Sequence, residues 1–422
     1  MKAWIVTMPG ELLPWVDKGQ RMLRMGLLLE RLLHNGHEVT WWSSTFDHIN
    51  KRLRFGADQH LRPQEGFDVR LLHAGGYPQN VCWARMRHNA RLRKLFCKAA
   101  TMVDRPSVIY AALPAPEICL AAVEYGASQG VPVVVDVRDL WPDAISELFP
   151  WPARWAVRMG LWPMRRQVRR ACSGATALTA MSEGCLQWGL DQARRFRRDT
   201  DRVFHLAYPE QVIESAAEKE ACRYWDHLGV DGDNRRIICF MGTHGVSVRL
   251  MEVFECARRC ISKYPDFLFV IGGDGSQKRS LESKAKDCPN VIWSGWLDQP
   301  KIQTLLHRAW AGLVPYVSSY NLERGMPNKV GEYLSASLPI LSSLRGSVAE
   351  LLSQHEVGLT YREGDAGDLM AMLDRLATNP SLYGAMASNG RRLFWEQFDA
   401  GTIYGEFAEL LESLGTAGGA RP

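Results

Sequence analysis

The residues best placed to do chemistry lie in the run GMPNKVGEYL at 325–334. Pro327 is a helix-start signal. Backbone N–H groups of Gly325, Met326 and Asn328 would then point out of a helix N-terminus, where unsatisfied amides and the helix dipole bind phosphate. Lys329 adds a point charge at the same place. Glu332 follows one turn later on the same face, suited to accept hydrogen bonds from sugar hydroxyls. Asp274 lies in VIGGDGS, a strand followed by glycine, acid and glycine. Plain tight turns use the same residues, so the weight of Gly273 and Asp274 comes from the neighbouring turns of the same domain. In DVRDLWPD at 136–143, Arg138 and Asp139 sit just past a buried strand, where open α/β sheets bind ligands. There they read equally as a structural ion pair or as a substrate contact and base. The loop PGELLPWVDKGQ at 9–20 lacks GxGxxG, which argues against a dinucleotide site at the first turn. Its Gly10 allows close approach of a ligand to the backbone, and its Asp17 adds a carboxylate to that edge of the sheet.

The elements that must hold these residues follow a strand–helix–glycine–strand rhythm. The first strand is 2–7, with a helix at about 20–35 ending at Asn35-Gly36 and a second strand from His37. The pattern recurs at 107–112, 115–128 and 131–136, and again at 176–180 with a helix opening at Ser182. These strands are continuous apolar runs, as strands buried on both faces should be. Residues 211–233 are polar and charged and read as a helical connector. A second series then starts, with strands at 236–241, 267–272, 290–293, 311–315 and 338–342 and helices at about 247–262, 300–308 and 328–336. The expected fold class is α/β, with two successive parallel-sheet domains at 1–210 and 234–400. The end of the chain, 415–422, is expected to be a disordered tail.

Composition narrows the field. The chain has 422 residues, 46% hydrophobic and 23% charged, which excludes disorder, collagen and coiled coil as the main architecture. No stretch approaches the ~20 apolar residues of a spanning helix, and the N-terminus carries no signal-peptide pattern, so a cytoplasmic location is expected. Ten cysteines show no CxxC pairing and are expected to be reduced. Residues 1–200 hold 28 Lys and Arg against 18 Asp and Glu, giving +10, whereas 201–422 hold 23 against 28, giving −5. A basic half beside an acidic half implies different partners. The segment 151–170, WPARWAVRMGLWPMRRQVRR, holds three Trp, six Arg and no acid. It suits an interfacial membrane helix or a pyrophosphate-bearing lipid. The plain alternative is a solvated basic helix with its Trp in the core. No nucleic-acid module accompanies the charge.

With those residues in hand, the chain resembles retaining GT-B glycosyltransferases, most of all the bacterial surface-polysaccharide sugar transferases of the WbuB type. The resemblance rests on NGHEVTWWSSTFDH at 35–48, VDVRDLWPD at 135–143, TAMSEG at 179–184, FMGTHG at 240–245, GGDG at 272–275, SGWL at 294–297 and MPNKVGEYLSASLPI at 326–340. It implies two Rossmann-like domains facing a central cleft, with a C-terminal helix at 401–414 crossing back to the N-terminal, acceptor-binding domain. It implies a nucleotide-sugar site in the C-terminal domain. Gly242 and Thr243 would lie by the diphosphate, the Leu297 backbone would read the base, and Glu332 would hold the ribose. Lys329 and the 325–328 amides would hold phosphate and donor sugar. Two departures stand out. Arg324, beside Glu323, replaces the first Glu of the usual Glu-x7-Glu pair. Thr243 and Val248 replace the usual Arg and Lys after the first strand, leaving Arg249 or Arg324 to supply charge.

The resemblance implies transfer of a sugar, expected from a UDP-sugar, with retention and without a metal or other cofactor. The acceptor would be polyprenyl-pyrophosphate-linked or a saccharide at the inner face of the cytoplasmic membrane, in surface-polysaccharide or lipopolysaccharide synthesis. Catalytic roles fall to Lys329, Arg324, Glu332 and Asp139, and acceptor contacts to Gly10, Asp17, Arg138 and Asp139. Two rival readings stay open: a non-catalytic sugar-nucleotide-binding protein at the membrane, and a sugar-nucleotide epimerase on the same fold.

Overall fold

The first ten strands are β1 (Lys2–Val6), β2 (Glu38–Ser44), β3 (Phe46–Asp47), β4 (Arg52–Leu53), β5 (Gln59–Gln64), β6 (Phe67–Leu72), β7 (Val108–Ala112), β8 (Val133–Val137), β9 (Ala177–Ala180) and β10 (Arg202–Val203). The computed structural model describes residues 1–7, 11, 13, 22–209, 214–232 and 234–419. Gly10 and Asp17 lie outside the described residues. The chain divides into one unit of Met1–His205 with Ile403–Pro422, and a second of Leu206–Thr402.

In the first unit eight strands form a sheet in the order β10-β9-β8-β7-β1-β2-β6-β5. All neighbours are parallel except β5 against β6. The apolar runs VIYAA and VVVDV are buried at every position, which is what central strands covered on both faces require. That burial takes Asp136 down with β8. Arg24, at the start of helix Arg24–His34, answers its charge with two 2.9 Å hydrogen bonds. Tyr110 and Thr179 donate to the same carboxylate at 2.7 and 2.8 Å. Burial alone would raise the Asp136 pKa, but the Arg24 charge and these donors hold it below the usual carboxylate range.

Helix Ala400–Gly419 packs in this first unit. Its Phe407 stacks on Phe204 at 4.3 Å between ring centroids and meets Tyr110 edge-on at 5.3 Å. Glu412 accepts from Asn35 at 3.0 Å and lies 2.7 Å from the His37 ring. The helix continues to Gly419, so residues 415–419 are helical where the sequence suggested a disordered tail. Gly415 packs close to the start of the first unit: an added Cβ there would lie 3.1 Å from the Met1 Sδ and 3.4 Å from the Ser107 Cβ.

The second unit holds β11 (Arg236–Met241), β12 (Phe267–Gly272), β13 (Val291–Gly295), β14 (Ala309–Val314), β15 (Ile340–Ser342) and β16 (Gly358–Thr360), all parallel, in the order β13-β12-β11-β14-β15-β16. Alternate β11 residues feed two hydrophobic clusters, Ile237, Cys239 and Met241 on one face and Ile238 and Phe240 on the other. Within the expected 211–233 connector, helix Ser215–His227 is an integral layer of this unit. Its Trp225 is fully buried and donates to the Lys301 carbonyl at 2.9 Å. The basic stretch 151–170, read as one helix, forms two, Trp151–Gly160 and Trp162–Gly174, and further elements beyond the sequence expectations are the β5–β6 pair and the helices Trp83–Ala100, Ala366–Ala377 and Pro380–Gln397.

Candidate functional site

Because the second sheet is parallel, the loops after β11, β12, β13 and β14 leave from one edge, where open α/β sheets bind ligands. These loops are stitched together by backbone hydrogen bonds: Gly242 N–H to Gly272 O, His244 N–H to Asp274 O and Gly273 N–H to Gly295 O. The approach is so close that a Cβ on Gly273 would lie 2.0 Å from the Gly242 oxygen. Gly273 also has a φ of +117°, open to glycine alone without strain. Gly242 of FMGTHG and Gly272, Gly273 and Gly275 of GGDG therefore act chiefly as contact points between loops. The Gly242 amide is engaged, while among the described residues the Thr243 amide makes no hydrogen bond.

Asp274 accepts from the Gly275 amide, which lowers its pKa, and Lys278 lies 3.6 Å away. Lys278 also faces Gly295, the last residue of β13. It is a cation at the strand edge that the sequence reading missed. The available signal was its place four residues after Asp274, one helical turn on. His244, equally missed, is fully buried edge-on to Trp293. Burial lowers its pKa and keeps the ring neutral. Leu297 is nearly buried, its side chain packed against Gly272, while Trp296 beside it is 74% exposed.

Helix Asn328–Ser335 follows, anchored by Tyr333. The Tyr333 hydroxyl donates to the carbonyls of Leu313 and Cys239 at 3.0 and 3.2 Å, and its ring covers Gly312 so closely that a Cβ there would clash at 2.4 Å. This fixes the helix against β14 and β11. Glu332 is 2% exposed and takes a 2.5 Å hydrogen bond from Lys329. Both charges act on Cys239, whose thiol burial pushes up to about 12, and Glu332 adds to the burial that raises Tyr316 to about 12. No side chain caps the helix. Among the described residues the Met326 and Asn328 amides make no hydrogen bond. Two expectations are corrected here. The Gly325 amide is spent on the Asn321 carbonyl at 2.8 Å, closing the short helix Tyr320–Arg324. The Met326 side chain lies in the core, so only its backbone faces the helix start.

The two arginines expected to supply charge are both engaged. Arg249 lies 3.3 Å from Glu252 and 3.5 Å from Glu363. The Arg324 guanidinium stacks 3.9 Å over the Tyr320 ring and donates to the Tyr320 carbonyl. Lys329 and Lys278, each beside a carboxylate of the site itself, Glu332 and Asp274, are cations that the loops bring to this edge.

In the first unit, Arg138 pairs with Glu11, 127 residues away and buried. Burial works against the Arg138 charge, and Glu11 more than restores it, raising the pKa. Asp139 lies close enough to the nearly buried Arg85 to favour its charge, and Arg85 stacks 4.2 Å over Trp141. Among the described residues, no group of three or more His, Cys, Asp or Glu is gathered as a metal site would require.

A sequence model of the family described as "Glycosyl transferases group 1" matches residues 235–379, most of the second unit. The 2-deoxystreptamine N-acetyl-D-glucosaminyltransferase of Niallia circulans is 22% identical over 195 residues, 46% of this chain and 49% of that protein. The amylovoran biosynthesis glycosyltransferase AmsK of Erwinia amylovora is 27% identical over 176 residues, 40% of this chain and 41% of that protein. The matches thus span about half or less of these relatives. The structure of Anabaena HepE in complex with UDP aligns over 98% of this chain and 100% of that one, with a TM-score of 0.65 at 14% identity. Two parallel α/β units of this kind make the fold GT-B.

Proposed function

We propose that the chain is a glycosyltransferase that moves a sugar from a nucleoside-diphosphate donor, with UDP as the nucleotide, to a saccharide or lipid-linked acceptor in surface-polysaccharide synthesis. The observation that carries the reading is the helix start at 326–329. There, the Met326 and Asn328 amides, unpaired among the described residues, and the Lys329 charge lie beside a sheltered Glu332, while the Thr243 amide lies just past the end of the neighbouring β11. Amides and a cation suit a diphosphate; a buried carboxylate suits sugar hydroxyls.

The chemistry follows from where charge develops. As the bond from the anomeric carbon to the β-phosphate oxygen breaks, negative charge grows on that phosphate. Lys329 and the helix-start amides stabilise it. Glu332 orients Lys329 and accepts from the donor's hydroxyls. The departing phosphate takes the proton of the acceptor hydroxyl as that oxygen attacks from the same face, which retains the anomeric configuration and needs no enzymic nucleophile. No metal enters this scheme. With Arg324 held by Tyr320, the phosphate charge falls to Lys329, with Lys278 in support.

Thermal melting with a panel of nucleotides, followed by mass spectrometry of donor, protein and acceptor mixtures, tests the reading. A UDP-specific rise in melting temperature and a glycosylated product are expected. Binding without product would leave a sugar-nucleotide-binding protein, and a donor isomer as product an epimerase.

A further inference from the structure

The basic stretch of the first unit forms two consecutive helices, and no residue of Trp151–Gly160 is buried. Trp151, Trp155 and Met159 are 82%, 73% and 60% exposed. Their spacing of four puts them in one stripe. Trp162 at the head of the next helix, Leu148 just before the first, and Trp83 of helix Trp83–Ala100 are also more than half exposed. The alternative in which these tryptophans fill a core is thereby excluded. So many large apolar side chains in one neighbourhood mark an interaction surface.

Beside them lies a cavity of about 370 Å³ between the start of helix Trp83–Ala100 and the two basic helices. Val81, Met86, Ile145, Val157, Leu161 and Met164 make its walls largely apolar. Arg85 contributes a cationic edge. It is nearly buried, donates to the Asn80 carbonyl at 2.7 Å and stacks on Trp141.

Charge identifies the occupant. Arg165 and Arg170 are tied to Asp143 and Glu124, and Arg154 to Glu147. Among the described residues, Arg158, Arg166 and Arg169 have no acidic partner. Three unneutralised arginines beside exposed tryptophans match an anionic headgroup layer, where indole rings lie at the interface. The apolar hollow behind them matches a hydrocarbon chain.

We propose that this face docks on an anionic bilayer and that the cavity receives the hydrocarbon chain of a phosphate-headed lipid, with the headgroup at the Arg85 edge. The inference deepens the glycosyltransferase reading by making the acceptor lipid-linked. It rests on that reading for the lipid's role as acceptor, and on the surface alone for the docking.

The test uses the full chain, with vesicles of phosphatidylcholine alone or mixed with phosphatidylglycerol, and calorimetric titration with monomeric dodecyl phosphate and with inorganic phosphate. Sedimentation with the phosphatidylglycerol vesicles only is expected, weakening with salt. The triple variant R158E/R166E/R169E should lower partitioning at least about a hundredfold, the loss of three arginines at about 1 kcal/mol each, with the added carboxylates repelled as well. The variant W151A/W155A/W162A should abolish it with an unchanged circular dichroism spectrum, since these side chains are exposed. Dodecyl phosphate should bind and inorganic phosphate should not. Gly160 lines the cavity and has no atom within 4 Å of an added Cβ, so Gly160→Leu should weaken dodecyl phosphate binding with the fold intact. Equal recovery in the supernatant with both vesicle types would overturn the docking. A dimer in light scattering that the tryptophan variant abolishes would replace the bilayer by a second copy. Equal binding of inorganic and dodecyl phosphate would overturn the chain site. UDP melting shifts, read in parallel, report the other unit: their absence with lipid binding retained would sink the glycosyltransferase reading and leave the docking standing.

Discussion

Lys329 and Glu332 form a 2.5 Å ion pair within one turn of helix Asn328–Ser335, the lysine side chain 14% exposed and the glutamate side chain 3%. The pair couples a cation needed by a leaving phosphate to a carboxylate almost wholly sheltered from water. Lys329→Gln removes the charge and keeps a donor for Glu332. Turnover should fall by about 10²–10³, the usual loss for one donor to a developing anion. Melting temperature should change by only a few degrees. Steady-state kinetics on the folded variant check this, and unchanged turnover would remove Lys329 from the site.

Gly273 and Gly245 make an internally controlled comparison. An added Cβ at Gly273 strikes the Gly242 carbonyl at 2.0 Å, whereas at Gly245 it meets nothing within 4 Å. Gly273→Ala should cost at least about 2 kcal/mol and abolish UDP binding, because the loop after β11 must shift. Gly245→Ala should leave both within experimental error. Urea unfolding and nucleotide melting shifts measure the pair.

Arg24 and Asp136 are both fully enclosed, with side-chain exposures of zero. Arg24→Met strands a carboxylate that Tyr110 and Thr179 alone cannot neutralise, and should destabilise by about 3–5 kcal/mol. Adding Asp136→Leu should recover part of that loss. Urea titration of the two variants tests the coupling, and additive losses would refute it.

His88 is 2% exposed, with its Nδ1 2.8 Å from the Gly75 carbonyl and its Nε2 buried without a hydrogen bond. Burial, together with the Arg85 charge, lowers its pKa to about 4. His48 is lowered to about 4 as well, by burial and then Lys51. Below about pH 6.5 the unfolded chain binds protons that the folded chain refuses until about pH 4. Stability should therefore fall as pH drops through that window, by up to about 1.4 kcal/mol per pH unit for each histidine. His88→Asn, which keeps a donor near Nδ1, should halve the slope. A flat urea midpoint from pH 6.5 to 4.5 would contradict the assignment.

The parts legible in the sequence are those where one physical demand dominates. VIYAA, VVVDV and FLFVIG read as strands because both faces are buried, and PNKVGEYL as a helix start because proline and a following apolar face coincide. QHLRPQ of β5 was illegible because an exposed edge strand carries no apolar run. Helix Trp83–Ala100 was hidden because polar Arg85, His88 and Asn89 are among the residues it buries. At the site, Lys329 and Glu332 were readable as neighbours on one turn. The Glu11–Arg138 pair spans 127 residues, and the capture of the Gly325 amide depends on how helix Tyr320–Arg324 closes. Neither has a local signature.

The stacking of Phe407 on Phe204 gives synthesis an order. Residues 206–402 are contiguous and can close on themselves as soon as they leave the ribosome. The first 205 residues, although made earlier, must wait with the surface around Phe204 and Tyr110 uncovered until helix Ala400–Gly419 arrives. The first-made unit is thus the last completed. A nascent chain stalled before residue 400 would present an open apolar face to chaperones and proteases, and premature termination there would be recognised as misfolding even with the second unit intact.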